Sequence, residues 1–336
     1  MNARGEILKT IGKLLSLVYI GTLLLILGLD QTSRDAYPFF ALLTTFSIFL
    51  FTPLLVVGAF WLYSRSRVAL AVFVVGIGLL LAAHPIFPQK TFGLRQASAE
   101  EAVQLEAMAF NTGWTVTPPR QLASVLAQQS ADFIVMPEVS HGQIRAYERR
   151  LKDIYPYQVF DSNGVGAGLI SKHPIESYEW LTPESGRPML HATVDWNGQL
   201  VHVFTVHLVW PNINWHDSTG IPIGLNEYYQ ARQIDFLLNQ ARAVDGPVLL
   251  MGDYNMSDQS HTYKILSEEY GDAFRDGGWG FGFTFPNSMH IKGQKVEVPL
   301  VRIDYIFYSD HFEIVGADVD CIENRSDHCA LKAVFQ

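Results

Sequence analysis

Three short stretches of this 336-residue chain combine carboxylates, amides and imidazoles at spacings that suit phosphate chemistry. Gly252-Asp253-Tyr254-Asn255 follows the apolar run 248–251, so a carboxylate and an amide at i and i+2 leave a strand's mouth on one side. The pair can coordinate or hydrogen-bond around one phosphate, although Gly-Asp and Asn also make ordinary Asx turns. Ser326-Asp327-His328 precedes the final apolar run, where a His beside an Asp can bind metal, shuttle a proton or cap a loop. Asp304 heads the apolar run 303–308, and a carboxylate there costs stability unless it has a partner, for which a His is the natural candidate. Asn111 and Glu138 follow two further runs, 106–110 and 133–136, and His207 closes the run from Leu200. Oxygen donors at neighbouring strand ends are what a hard cation such as Mg²⁺ requires. Taken singly, each of these residues reads more readily as structural than as catalytic.

The elements that would position them are brief apolar strands alternating with helices. Strands are expected at 106–110, 133–136, 168–171, 190–196, 200–208, 248–251, 303–308, 312–318 and 330–335, most of them β-branched or aromatic and bounded by Gly, Pro, Asn or Asp. Helices are expected at 118–129, 142–151 and 227–241. Leu122, Val125 and Leu126 share one face of the first, and Ile234, Leu237 and Leu238 one face of the third. The predicted fold is an α/β (α+β) sandwich over 105–336, two sheets face to face with helices outside.

The blocks resemble, in their order along the chain, the endonuclease/exonuclease/phosphatase superfamily with its DNase I-like fold. They are Ala109-Phe110-Asn111, Asp132-Phe133-Ile134-Val135-Met136-Pro137-Glu138, Gly168-Leu169-Ile170-Ser171-Lys172, Thr205-Val206-His207-Leu208, Gly252-Asp253-Tyr254-Asn255, Thr284-Phe285-Pro286, Arg302-Ile303-Asp304-Tyr305-Ile306 and Ser326-Asp327-His328. The resemblance implies that Glu138 binds a divalent metal with help from Asn111, and that Asp253 and Asn255 position and activate water. It implies further that Asp304 orients His328, that His207 and His328 contact phosphoryl oxygens, and that Asp327 completes the metal shell or holds a water. The implied metal is Mg²⁺, with Mn²⁺ or Ca²⁺ as alternatives. Pro137 stands where many members have Gln, and Gly113 where several nucleases carry an acid, which argues against a second metal.

Charge and hydropathy divide the chain. Residues 1–89 hold six of the 24 basic and three of the 33 acidic side chains, leaving a net charge of −12 on the remainder. An acidic domain is a poor generic nucleic-acid binder, because phosphate contacts supply most non-specific affinity. Residues 11–29, 39–63 and 68–87 are apolar runs of membrane-spanning length, only the first containing a charge, Lys13. A cleaved signal peptide is the alternative for the first, and buried globular helices for the others. Arg4, Lys9 and Lys13 precede the first run, and Arg65 with Arg67 lies between the second and third. The positive-inside rule then puts the N-terminus in the cytoplasm. Three crossings place the domain outside, after a linker at 90–104. Cys321 and Cys329 can pair across two strands in an oxidising compartment, or remain two small buried side chains.

The segment 210–225, with Trp210, Trp215 and His216, reads as a loop beside the site that contacts lipid headgroups, stacks on bases, or packs on itself; 279–285 reads as another wall. Three apolar segments followed by this domain resemble the membrane-anchored bacterial group that includes the teicoplanin-resistance proteins. The expected activity is therefore hydrolysis of a phosphate ester or pyrophosphate in a lipid-linked substrate. The alternatives are an extracytoplasmic nuclease and an inactive binding module on the same fold.

Overall fold

The computed structural model describes residues 3–33, 38–90, 103–113, 117–161, 166–287, 289–291, 294–296, 298–321 and 326–336. Most of the expected linker at 90–104, and Asn324 and Arg325 ahead of Ser326, lie outside the described residues. The chain forms two compact units.

The first unit comprises the apolar helices α1 (Ala3–Ser33), α2 (Pro38–Thr45), α3 (Ser47–Leu50), α4 (Pro53–Ser64) and α5 (Arg67–Ala83). Two runs are long and apolar enough to cross a membrane, Gly5–Leu29 with mean hydropathy 2.0 and Ser47–Ser64 with 1.8; Arg67–Ala83 is a shorter apolar helix. The expected continuous span 39–63 is instead interrupted twice, at Phe46, whose backbone leaves the helical region, and at 51–52, because Pro53 lacks the N–H that would extend the helical ladder. Thr52 Oγ1 bonds the Phe49 carbonyl at 2.8 Å. The expected span 68–87 stops at Ala83, since Pro85 pushes His84 out of helical backbone. Tyr19 donates its hydroxyl to Leu50 O at 2.9 Å, and Ser47 Oγ pairs with His84 Nε2 at 3.0 Å, tying α1 and the end of α5 to α3. This unit also takes in a hairpin from far along the chain, β8 (Asn212–Trp215) and β9 (Pro222–Asn226). The expected loop at 210–225 therefore contains a two-stranded sheet.

The second unit is the sandwich. One sheet runs β15-β16-β1-β2-β4-β3, from β1 (Leu105–Ala109), β2 (Phe133–Val139), β3 (Tyr157–Phe160), β4 (Gly166–Ser171), β15 (Ile314–Asp320) and β16 (Ala330–Phe335). The other runs β11-β14-β10-β7-β6-β5, from β5 (Ile175–Leu181), β6 (Met189–Trp196), β7 (Gln199–His207), β10 (Val248–Asp253), β11 (Gly271–Asp272) and β14 (Asp304–Tyr308). Each is mixed, with β1–β2 and β7–β10 parallel.

Central strands alternate between two buried faces, which is why they read as unbroken apolar runs. Ala107, Ala109, Phe133 and Val135 meet Val203, Leu249, Met251 and Ile306 between the sheets. On the outer face of the first sheet, Met108, Ile134 and Met136 pack on α6 (Pro119–Leu126) and α7 (His141–Arg150) through Leu122, Leu126 and Tyr147. Phe204, Val206, Leu250 and Phe307 pack likewise on α8 (Tyr228–Ala241) through Ile234, Leu237 and Leu238. The helices α9 (His261–Ser267) and α10 (Ala273–Gly277), the edge strands β3 and β5, and the pair β12 (Met289–Ile291) and β13 (Gln294–Val296) are additions to the expected elements.

Candidate active site

Strand register assembles half of the site. In the second sheet, Asp253 at the end of β10 lies opposite His207 of parallel β7 and opposite Asp304 of antiparallel β14, so three polar residues form one row across adjacent strands. Gly252, just before this row, has φ +140°, and a Cβ on it would stand 2.0 Å from Val206 O; only glycine allows the two strands to approach so closely. The turn after β10 is held from α8. Gln230 Nε2 donates to Tyr254 O at 3.3 Å and Asn255 O at 2.8 Å, and Val209 N donates to Gln233 Oε1 at 3.0 Å beyond β7.

The first sheet supplies the remainder from irregular backbone. β2 does not stop at Met136 as expected but continues through a register shift to Val139. Glu138 sits in that irregularity with φ 60°, and a bulge of this kind re-aims a side chain. Asn111 follows β1, and Ser326 Oγ donates to Asn111 O at 2.7 Å, joining the segment ahead of β16 to the end of β1. Asp327 and His328 lie on that segment, and Cys329 N donates to Thr284 O at 2.8 Å. Asp320 pairs with Ala330, which places Cys321 opposite Cys329, and the two form a disulfide.

Seven of the predicted side chains form one connected cluster. Asn111 Nδ2 donates to Asp253 Oδ2 at 3.0 Å, and His328 Nε2 lies 3.8 Å from that oxygen. His207 Nε2 is 3.6 Å from the same oxygen and 3.4 Å from Glu138 Oε1. His328 Nδ1 pairs with Asp304 Oδ2 at 2.8 Å. Asn255 Nδ2 donates to Leu208 O at 3.0 Å, while its backbone N donates to Asp253 Oδ1 at 2.9 Å. Asn255 itself is in left-handed backbone, φ 49°, a conformation that Asn tolerates better than most residues. Asp327, the eighth, hydrogen-bonds with Ser326 Oγ at 3.4 Å, and its charge is felt at both Glu138 and His328.

Burial and mutual charge set the protonation states. Asp253 is pushed up to about 7 by burial, which outweighs the nearby His328 charge. Burial alone would lower His328, but Asp304 and Asp253 overcome it and hold the imidazole at about 10, so it is a cation at neutral pH. His207 is driven the other way, well below its ordinary value, by burial and then by Arg187 and His328. The site therefore carries one charged and one neutral histidine. Glu138 is raised by burial, against the pull of Arg187 and His328.

Arg187 was not among the residues singled out from the sequence. Its Nη1 lies against His207 Nε2 and 3.9 Å from Glu138 Oε1, from the loop before β6. A lone Arg between Gly186 and Pro188 carries no periodic or motif signal, so only the fold reveals it. Thr284 is a second supporting residue: its Oγ1 accepts from Ile303 N at 3.1 Å and Asp304 N at 3.2 Å, fixing the head of β14.

The donor set suits a hard cation. Asn111, Glu138 and Asp327 offer oxygen, and Asp304 Oδ1 and Asn255 Oδ1 are buried without a hydrogen-bond partner. Among the described residues, Asp253, Asp304 and His328 also bring three donor atoms within 4.8 Å of one another. Both nitrogens of the cationic His328 already face carboxylates there, Asp304 at Nδ1 and Asp253 at Nε2, so this trio works as a hydrogen-bonded and ion-paired group.

Residues 108–328 match the sequence profile of the Endonuclease/Exonuclease/phosphatase family. The chain belongs to this family. Membership makes it a hydrolase of the phosphoester type. A search of curated proteins found no match. Solved structures share the sandwich at low identity. An endonuclease/exonuclease/phosphatase family protein from Leptotrichia buccalis C-1013-b is 18% identical with TM-score 0.52, covering 69% of this chain and 99% of that one. The corresponding protein from Bacteroides vulgatus is 15% identical with TM-score 0.55, covering 70% and 99%. D. rerio TDP2 in complex with a single-strand DNA product is 17% identical with TM-score 0.56, covering 70% and 100%. At these identities the likeness is one of fold, the DNase I-like sandwich.

Proposed function

We propose that this chain is a membrane-anchored phosphoesterase, dependent on a divalent metal, that hydrolyses a phosphate ester or pyrophosphate of a lipid-linked substrate outside the cytoplasm. The observation that carries the catalytic part is the convergence of the two sheets: the buried row His207, Asp253 and Asp304 meets Asn111, Glu138 and His328 within hydrogen-bonding or ion-pair distance.

Glu138, Asn111 and Asp327 would hold the metal, Mg²⁺ by the hardness of the donors, and when bound it supplies charge stabilisation at the phosphoryl oxygens. The chain's own residues do the rest. Asp253 Oδ2 receives the proton of the attacking water, a role suited to a carboxylate held near neutrality. Asn255 fixes that water. His328, kept cationic by Asp304, and Arg187 would place positive charge where the phosphoryl oxygens carry negative charge. Neutral His207 binds a phosphoryl oxygen from the opposite side.

The membrane part rests on the two long apolar helical runs and the shorter α5, read as three crossings with Arg65 and Arg67 inside. The Cys321–Cys329 disulfide suits the oxidising side that this orientation assigns to the domain.

One observation favours a second reading. Trp210, half exposed, stands edge-on to Phe285 with ring centroids 6.0 Å apart, and Phe285 lies 4.9 Å from His328. An exposed aromatic beside a phosphoryl site can stack a base, as in single-strand nucleases. Phosphate release from polyprenyl pyrophosphate, phospholipid, nucleotide and DNA, with and without chelator, separates the two. The proposal expects chelator-sensitive release from the lipid-linked substrate, lost in Glu138→Ala and His328→Ala. Release unchanged in those variants overturns the site, and cleavage confined to DNA at low salt overturns the substrate class.

A further inference from the structure

The hairpin β8–β9 is encoded between His207 and α8, yet it folds with the apolar helices. Gly224 of β9 lies directly against Pro38, the first residue of α2; a Cβ on Gly224 would stand 2.7 Å from Pro38 Cβ and 3.0 Å from its carbonyl carbon. Gln259 Nε2 donates to Ala83 O, the last residue of α5, at 3.1 Å. Pro38 and Ala83 belong to one end of the helices. Leu54 packs over Gly76 and Phe73 over Gly58, so α4 and α5 run antiparallel and the turn with Arg65 and Arg67 lies at the other end. The hairpin therefore sits at the end opposite the basic turn.

Its free surface is apolar. Ile213 and Trp215 stand two apart on β8, Ile221 just ahead of β9 and Ile223 within it, and these four are 38%, 54%, 58% and 44% exposed. No Lys or Arg occurs from 208 to 226, and the one formal charge, Asp217, is in the polar turn at the tip. The same unit presents Leu14, Leu15, Val18 and Leu25 outward from α1, so the hairpin extends an apolar surface that the helices already carry. A two-stranded sheet leaves unpaired edge groups and cannot enter hydrocarbon. Trp with aliphatic neighbours is instead the composition of the headgroup boundary.

We infer that the β8–β9 hairpin is an interfacial anchor, with Ile213, Trp215, Ile221 and Ile223 inserted at the headgroup level of the leaflet opposite Arg65 and Arg67. This rests on the reading of the helices as membrane spans. Only residues 208–211 separate the hairpin from His207.

The test uses the full chain in nanodiscs of phosphatidylcholine and phosphatidylglycerol, with single cysteines labelled by an environment-sensitive fluorophore; the native cysteines are already paired. Labels go on Trp215→Cys and Ile221→Cys in the hairpin, Leu25→Cys in α1 and Glu184→Cys, a side chain 83% exposed in the second unit. The two hairpin labels should lose about half their emission to lipid doxylated at carbon 5, more than to lipid doxylated at carbon 12, while Glu184→Cys is unaffected by either. Folding of each variant is checked by its thermal transition, and the two hairpin positions serve as each other's control. Quenching of Leu25→Cys without quenching in the hairpin overturns the anchor and leaves the spans standing. Loss of quenching at Leu25→Cys as well overturns the membrane reading itself. Hairpin labels shielded from aqueous iodide but untouched by doxyl lipid point to a second copy or another protein on this face, and also overturn the anchor.

Discussion

The two sheets contribute to the site in physically different ways. The second sheet delivers His207, Asp253 and Asp304 from hydrogen-bonded register, all buried, with spacing fixed by strand pairing. The first sheet delivers Glu138 from an irregularity in β2, and Asn111, Asp327 and His328 from segments just outside its strands. Glu138 keeps 21% of its side chain exposed against 1% for Asp253. A buried row sets protonation through desolvation; on the proposed reading, the open side at Glu138 is where metal and substrate would enter. Substitutions on both sides should therefore cost activity, but only those in the buried row should change how stability depends on pH.

The largest effect is expected at the buried row. Asp253→Asn should lower kcat on the order of 10³-fold, since the amide cannot take the water's proton. Its thermal transition above pH 7 should hold or rise, because a carboxylate raised to about 7 destabilises the fold once ionised. A fall in both, followed by calorimetry at pH 8, would mean that the charge supports the fold. Glu138→Gln should cost activity about 10²-fold and weaken Mg²⁺ binding in titration calorimetry, with the chelated protein melting as wild type does. The same pH dependence of melting in the two variants would erase the distinction between the sides.

Asp304→Asn tests what holds His328 cationic, with an expected loss of about 10²-fold. The sign of its pH dependence is fixed. His328 is raised in the fold to about 10, so the stability it contributes is complete below its unfolded value and is lost as pH rises toward 10. Asp253, raised to about 7, is near-fully ionised only above about pH 8.5, so melting of chelated protein between about pH 8.5 and 10 isolates the histidine. Wild type should lose stability across that window more steeply than Asp304→Asn; parallel curves would show that Asp304 is not the controlling charge.

The same contrast explains what could be read from the sequence. The runs at 133–136, 248–251 and 303–308 are buried on both faces, so composition alone located β2, β10 and β14, and the polar residues that punctuate them stood out. The edge strand β5 carries Glu176, Tyr178 and Glu179 toward solvent and lacks the apolar signal, and α9 and α10 are too short for helical periodicity to register. The interruption of 39–63 before Pro53 was legible in principle but was outweighed by uniform hydropathy, and no residue type marks the one at Phe46. Register was not legible. The pairing of Cys321 with Cys329, the row through Asp253 and the position of Arg187 each depend on which residues lie opposite one another, and that is fixed by packing across both sheets.

Arg187 should give the smallest effect and sharpen the account of the open flank. Its side chain is 39% exposed and reaches both His207 and Glu138 from a loop. A guanidinium grips two phosphoryl oxygens at once, whereas an ammonium is a point charge. Arg187→Lys should therefore raise KM about 10-fold with kcat less affected, and Arg187→Ala should lower kcat as well, on substrates that present a terminal phosphate. The Ala variant should also let His207 titrate nearer its ordinary value, because the guanidinium is the second influence, after burial, holding it neutral. An NMR titration of the chelated protein reads that shift directly. Unchanged kinetics together with a shifted His207 would make Arg187 a residue that tunes the histidine without touching substrate.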